Sequence, residues 1–108
     1  MGITIQTVGM RLTENLRTYA TEKIEDTLRF FGKTNPETIR IDLLLSRHEE
    51  KGQIFRAKAN ITVPGDHFFL EEEADDINVA VSRLKQSITK RARRWRERLM
   101  DRHQKTTT

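Results

Sequence analysis

Ile77, Val81, Leu84, Ile88, Ala92, Trp95 and Leu99 recur at spacings of 4-3-4-4-3-4. Only an α-helix puts such a series on one face, and a stripe this long needs a broad apolar partner. The rest of that helix is basic. From Arg83 to Lys105 there are ten Lys/Arg against two acids, Glu97 and Asp101, a net +8. Residues 1–82 hold ten bases and fourteen acids, a net −4, so the overall +4 conceals a strongly divided charge. A surface of this kind calls for a polyanion, most often nucleic acid.

The partner for the stripe is legible upstream. Ile39, Ile41, Leu43 and Leu45 alternate with Thr38, Arg40, Asp42, Leu44 and Ser46. Phe55, Ala57, Ala59, Ile61 and Val63 alternate with Arg56, Lys58, Asn60 and Thr62. A third run is Phe68–Glu73, which puts one of Phe68 and Phe69 on each sheet face. Glu49-Glu50-Lys51-Gly52 and Pro64-Gly65-Asp66 read as hairpin connectors. Period-two alternation means one covered face and one solvated face.

The chain opens with a short strand, Ile3, Ile5 and less regularly Val8, and turns at Gly9-Met10-Arg11. Thr13 is placed as a helix N-cap. Leu16, Ala20, Ile24, Leu28 and Phe31, with Tyr19 alongside, then predict one helix ending at Gly32. Asp75 or Asp76 caps the long helix. Over 77–103 that helix measures roughly 40 Å, enough for Trp95 and Leu99 to reach past the sheet edge. The expected fold is α+β, in the order β-α-β-β-β-α. It has one four-stranded sheet with both helices on one face, similar to a double-stranded RNA-binding domain. A single domain spans 1–103, and 104–108 form a frayed tail.

The sequence offers little to catalysis. It has no cysteine, P-loop, GxGxxG or serine elbow. His48, His67 and His103 lack metal-ligand spacing. The acids Glu71–Asp76 suit a helix N-terminus better than a metal site. No enzyme, metal or cofactor is expected, and no small-molecule substrate. No run is apolar enough to span a membrane, and no secretory signal opens the chain, so a cytoplasmic protein is expected.

The candidate site is therefore the polar arc of the long helix: Arg83, Lys85, Lys90, Arg91, Arg93, Arg94, Arg96 and Arg98. A plain solvated surface explains one or two bases. Eight bases with only Glu97 among them must tolerate mutual repulsion, since i,i+4 partners are nearly absent. Phosphate binding explains them better. The strand residues Arg40, Arg56 and Lys58 either extend this patch or are ordinary solvated positions. Trp95 belongs to the apolar stripe, which favours a core role over base stacking. Reversing Arg91 and Arg94 to Glu is expected to abolish binding and leave the fold intact.

Several local patterns resemble the ribosome hibernation promoting factor family, also called ribosome-associated inhibitor or sigma-54 modulation proteins, in its short form. They are Ile3-Thr4-Ile5, Leu12-Thr13-Glu14-Asn15-Leu16 ("L-T-x-x-L"), Phe30-Phe31-Gly32, and Glu71–Asp76 running into Ile77-Asn78-Val79-Ala80-Val81-Ser82 ("E-x-D-M-Y-A-A-I-D"). A basic helix follows, and the resemblance covers about residues 2–103. It departs at Asn78, where the family has an aromatic, and at Ser82, where it has an acid. It departs again at Glu72, where the family has a small apolar residue. If Phe68, Leu70 and Ala74 face inward, so does Glu72. Either the register slips near Glu71 or Glu72 pairs with a base. The chain also stops without the linker and second domain of the long form.

The resemblance implies a translation inhibitor in the decoding channel of the small ribosomal subunit. Its basic helix would contact rRNA, and the domain, a monomer when bound, would exclude mRNA and tRNA. Two other readings compete. A double-stranded RNA-binding module would carry bases at the start of its last helix, where this chain has Asp75 and Asp76. An interaction module could instead turn its basic helix to an acidic protein or an anionic membrane; membrane insertion would need the stripe that the sheet already claims.

Overall fold

The computed structural model describes residues 2–50 and 52–107, with side chains for all of these except His48 and 101–107. The elements are β1 (Ile3–Val8), α1 (Glu14–Glu25), a 3-10 turn (Leu28–Phe31), β2 (Thr38–His48), β3 (Gly52–Val63), β4 (Asp66–Ala74) and α2 (Ile77–Thr107). Strand order is β1-β2-β3-β4, with β1 parallel to β2 and the other pairs antiparallel. This is the expected β-α-β-β-β-α arrangement.

The register stacks apolar residues in rows across the sheet. Ile3, Ile39, Ile61 and Phe68 form one row, and Ile5, Ile41, Ala59 and Leu70 the next. Ala57 and Ala59 are fully buried at the centre of β3. Their small side chains admit the helices closely, and Ala80 and Ala92 answer them from α2. Every stripe residue from Val81 to Trp95 is buried.

Three rings close the far end of the core. Phe31, Phe68 and Trp95 sit 6.1–6.3 Å apart between centroids, joining the 3-10 turn, β4 and α2. Phe68 is thus the inward ring, and Phe69 is 57% exposed on the open face. Trp95, expected to reach past the sheet, is 4% exposed. The projection begins later, at Leu99 and Met100, which are exposed. At 31 residues α2 is about 46 Å long. α2 runs on to Thr107 through the stretch where a frayed tail is expected, and Thr108 lies outside the described residues.

The first helix is shorter than its stripe suggests. α1 ends at Glu25, and Leu28 and Phe31 lie on the 3-10 turn. The buried Thr27 hydroxyl donates to the Ile24 carbonyl at 2.6 Å, competing with the helical ladder. Thr13 caps α1 as expected, accepting from the Leu16 N–H at 3.1 Å. Gly9 turns the chain out of β1 at φ +74°, and a Cβ there would lie 2.7 Å from the Leu45 carbonyl oxygen. Only glycine fits.

Candidate nucleic-acid interface

The core fixes how α2 is rotated. Asp76 starts the helix, its Oδ1 accepting from the N–H groups of Asn78 (2.8 Å) and Val79 (3.2 Å). The stripe then faces the sheet, so the basic arc faces away from it. Two flanks of that arc are held by neighbouring elements, and a crest between them is free.

The first flank meets β4. Arg83 Nη1 donates to the Glu73 carbonyl at 2.7 Å. Ser87 donates to Glu72 Oε2 at 2.6 Å. The register through Glu72 is continuous. Neither a register slip nor a base therefore accommodates this carboxylate, because a hydroxyl from α2 does. Arg91 is the most deeply committed base. Its side chain is 21% exposed, its Nη2 donates to Asp66 Oδ2 at 3.1 Å, and its guanidinium lies 4.1 Å from the Phe68 ring centroid. The His67 backbone N–H donates to Asp66 at 2.7 Å. That bond is the largest influence on the Asp66 carboxyl and lowers its pKa from the ordinary value; burial, the next largest, opposes it, and Arg91 and then Arg98 add to the lowering.

The second flank meets α1 and the 3-10 turn. Lys85 Nζ pairs with Asp26 at 3.2 Å. The Arg93 guanidinium lies 4.6 Å from the Phe30 ring centroid, and Arg29 lies 4.8 Å from the same ring. Arg96 passes over Gly32, where an added Cβ would sit 3.0 Å from its Nε. The Tyr19 hydroxyl joins α1 to α2 through Ser82 Oγ (3.0 Å) and the Asn78 carbonyl (3.3 Å). The departure at Ser82 thus gives Tyr19 a side-chain partner, while residue 78 lends only its backbone carbonyl.

The crest comprises Lys90, Arg94 and Arg98, all exposed. None has a hydrogen bond or ion pair among the described residues. Three unpaired cations along two turns of one helix form the track a phosphate backbone can follow.

The strand bases lie elsewhere. Arg40, Arg56 and Lys58 sit on the open face of the sheet, opposite the helices. Arg40 pairs with Asp42 at 3.4 Å and donates to Gln6 at 2.9 Å. Arg56 lies 3.4 Å from Glu73 and 3.9 Å from Glu71. Lys58 stands in register between Asp42 and Glu71. Three bases thus alternate with three acids, and this face is not continuous with the α2 arc. Arg29 and Phe30, outside the arc that the sequence predicts, join the second flank. The signal was there: a base beside an aromatic, just where the first stripe breaks.

Among the described residues, no group of three His, Cys, Asp or Glu is placed to hold a metal. No helix is long and apolar enough to cross a membrane.

The comparisons with known proteins agree with this architecture. The family described as sigma 54 modulation protein / S30EA ribosomal protein matches residues 3–100. The Protein Y N-terminal domain of Thermus thermophilus superposes with a TM-score of 0.69 at 23% identity, over 89% of this chain and 100% of that one. A ribosomal subunit interface protein from Coxiella burnetii superposes with a TM-score of 0.73 at 17% identity, over 90% and 99%. No curated protein sequence gives a significant match. At these identities the two structures speak for the fold.

Proposed function

Since the chain belongs to the sigma 54 modulation protein / S30EA ribosomal protein family, we propose that it is a ribosome-binding hibernation factor. It binds the small subunit in the decoding channel as a monomer, lays the crest of α2 on rRNA phosphates, and stops translation by excluding mRNA and tRNA. It acts in the cytoplasm, where ribosomes are, by occupancy rather than chemistry, and needs no cofactor. The folded unit is the single domain 1–103. The name of the Coxiella burnetii relative, a ribosomal subunit interface protein, points to the same partner.

The observation that carries the rRNA contact is the free crest. Lys90, Arg94 and Arg98 make no side-chain hydrogen bond or ion pair among the described residues, whereas Arg83, Lys85 and Arg91 are held by polar groups of the fold and Arg93 by the Phe30 ring. Phosphates supply the missing counter-charge, and release of their counterions supplies affinity without reading sequence. Arg83, Lys85, Arg93 and Arg96 border the crest and add to its field. Arg40, Arg56 and Lys58 would meet rRNA only where the channel also touches the open sheet face.

A general duplex RNA-binding role is disfavoured by the same geometry. Asp76 occupies the first N–H groups of α2, so that terminus does not offer them to a phosphate.

The test is charge reversal on the crest. Lys90→Glu with Arg94→Glu should abolish small-subunit binding and leave the melting temperature near wild type. For each single variant, the slope of log K against log salt should fall by about one. A folded double variant that binds subunits normally would sink the assignment.

A further inference from the structure

The second flank of α2 holds a feature that the crest does not explain. Arg29 and Arg93, from different elements, both lie over the half-buried Phe30 ring. With Lys85, Thr89 and Lys90 they line an open cleft of about 310 Å³ between the 3-10 turn and α2. That is the lower end of small-ligand cavities, which run from ~300 Å³ upward.

Four cations thus line one cleft, and the one acid paired there, Asp26, is taken by Lys85. Neither the Arg29 nor the Arg93 side chain has a hydrogen bond or ion pair among the described residues. The aromatic ring holds each guanidinium through its face. The N–H edges remain free, and those edges form bidentate bonds to phosphate. Like charges gathered on one ring repel each other, and an entering dianion or phosphodiester turns that cost into attraction. The Thr89 hydroxyl adds a donor within the cleft. Lys90 belongs to both cleft and crest, so a strand lying on the crest passes the cleft mouth.

We infer that this cleft is a phosphate clamp for one nucleotide of an RNA strand, with Arg29 and Arg93 forking its phosphate oxygens and Phe30 holding both guanidiniums in place. The inference rests on the rRNA-binding reading and adds to it a specific seat outside the crest. Phe30 is here a positioning residue, because it acts through the two arginines.

Two variants keep the net charge and test the geometry. Arg29→Lys, at an exposed position, retains the cation but loses the planar fork. Phe30→Leu retains both arginines but removes the surface that orders them. Each should weaken small-subunit binding about tenfold, the worth of one charge-assisted hydrogen bond. The salt slope should stay unchanged, because no charge is removed. In parallel, the arginine Nε–H resonances of the wild-type protein are followed by NMR during titration with hexauridylate and, separately, inorganic pyrophosphate. Hexauridylate should shift Arg29 and Arg93. If pyrophosphate shifts them and hexauridylate does not, the cleft takes free polyphosphates and the RNA assignment is overturned. If Arg29→Lys binds subunits as tightly as wild type and both resonances stay still, the clamp is wrong while the ribosomal reading stands. If wild type ignores ribosomes but hexauridylate moves both resonances, the clamp stands and the ribosomal reading falls.

Discussion

Replacing Trp95 with alanine separates core from contact surface on the most basic stretch of the chain. Trp95 lies between Arg94 and Arg96, and an indole among arginines invites a base-stacking role. The structure gives it another. It is 4% exposed and lies 6.1 Å from the Phe31 ring and 6.3 Å from Phe68. Truncation removes nearly the whole indole from a closed site, and the surrounding elements can collapse only in part. Losses of this kind run to about 3–5 kcal/mol. Against a domain stability of about 5–15 kcal/mol that is a large fraction. At ~4–8 °C per kcal/mol, the melting temperature should fall by about 12 °C or more. Thermal melts by circular dichroism and a urea titration measure it, with the urea midpoint falling at constant m-value. Trp95→Phe keeps a ring in the cluster and should lose clearly less. Below its melting point, Trp95→Ala should bind subunits nearly as wild type does. A melting temperature within a few degrees of wild type, with weaker RNA binding, would refute the core assignment and favour stacking.

Arg91 and Arg94 should behave as opposites, although both lie in the basic arc. Loss of the Arg91 stack on Phe68 costs about 1–2 kcal/mol by itself, and Arg91→Glu also sets two carboxylates face to face at Asp66. Its melting temperature should drop by several degrees while that of Arg94→Glu stays put, and equal melts would contradict the pairing. Asp66 adds a pH signature. Its folded-state pKa is lowered, so its contribution is present above the unfolded value of about 3.9 and fades as pH falls through the folded value. The gap in melting temperature between wild type and Asp66→Asn should therefore be widest near neutrality and close in acid; a gap constant with pH would mean that the His67 N–H and Arg91 do not favour the Asp66 carboxylate. Tyr19→Phe removes the bridge to Ser82 and Asn78 and should cost about 1 kcal/mol in urea unfolding. No change there would leave Ser82 without a structural account.

The strands and the long helix were legible because each has a clean period, and the register keeps every alternating position on its expected face. Thr13 was legible as a cap for the same local reason, and the cap of α2 was legible to within Asp75 or Asp76. Where reading failed, long-range partners decided. The first stripe continued through Leu28 and Phe31, yet the Thr27 hydroxyl ended the α-helix before them. Glu72 calls in sequence for a register slip or a base, and its partner is Ser87, fifteen residues away. Arg91 looked like its neighbours in sequence, and only the β3–β4 hairpin carrying Asp66 sets it apart. A double reversal of Arg91 and Arg94 therefore does not leave the fold neutral, and Lys90 with Arg94 make the better pair. The strand bases show the limit most plainly. Alternation put Arg40, Arg56 and Lys58 outward, but only cross-strand register shows that their neighbours are Asp42, Glu71 and Glu73.

The central claim is that the free crest of α2 occupies the mRNA and tRNA path of the small subunit. The direct measurement is co-sedimentation with purified ribosomal subunits at two salt concentrations, with and without bound mRNA and initiator tRNA. The account expects binding to the small subunit that weakens with salt and disappears when mRNA and tRNA are in place. Binding that is indifferent to mRNA and tRNA, or binding to neither subunit, would contradict it.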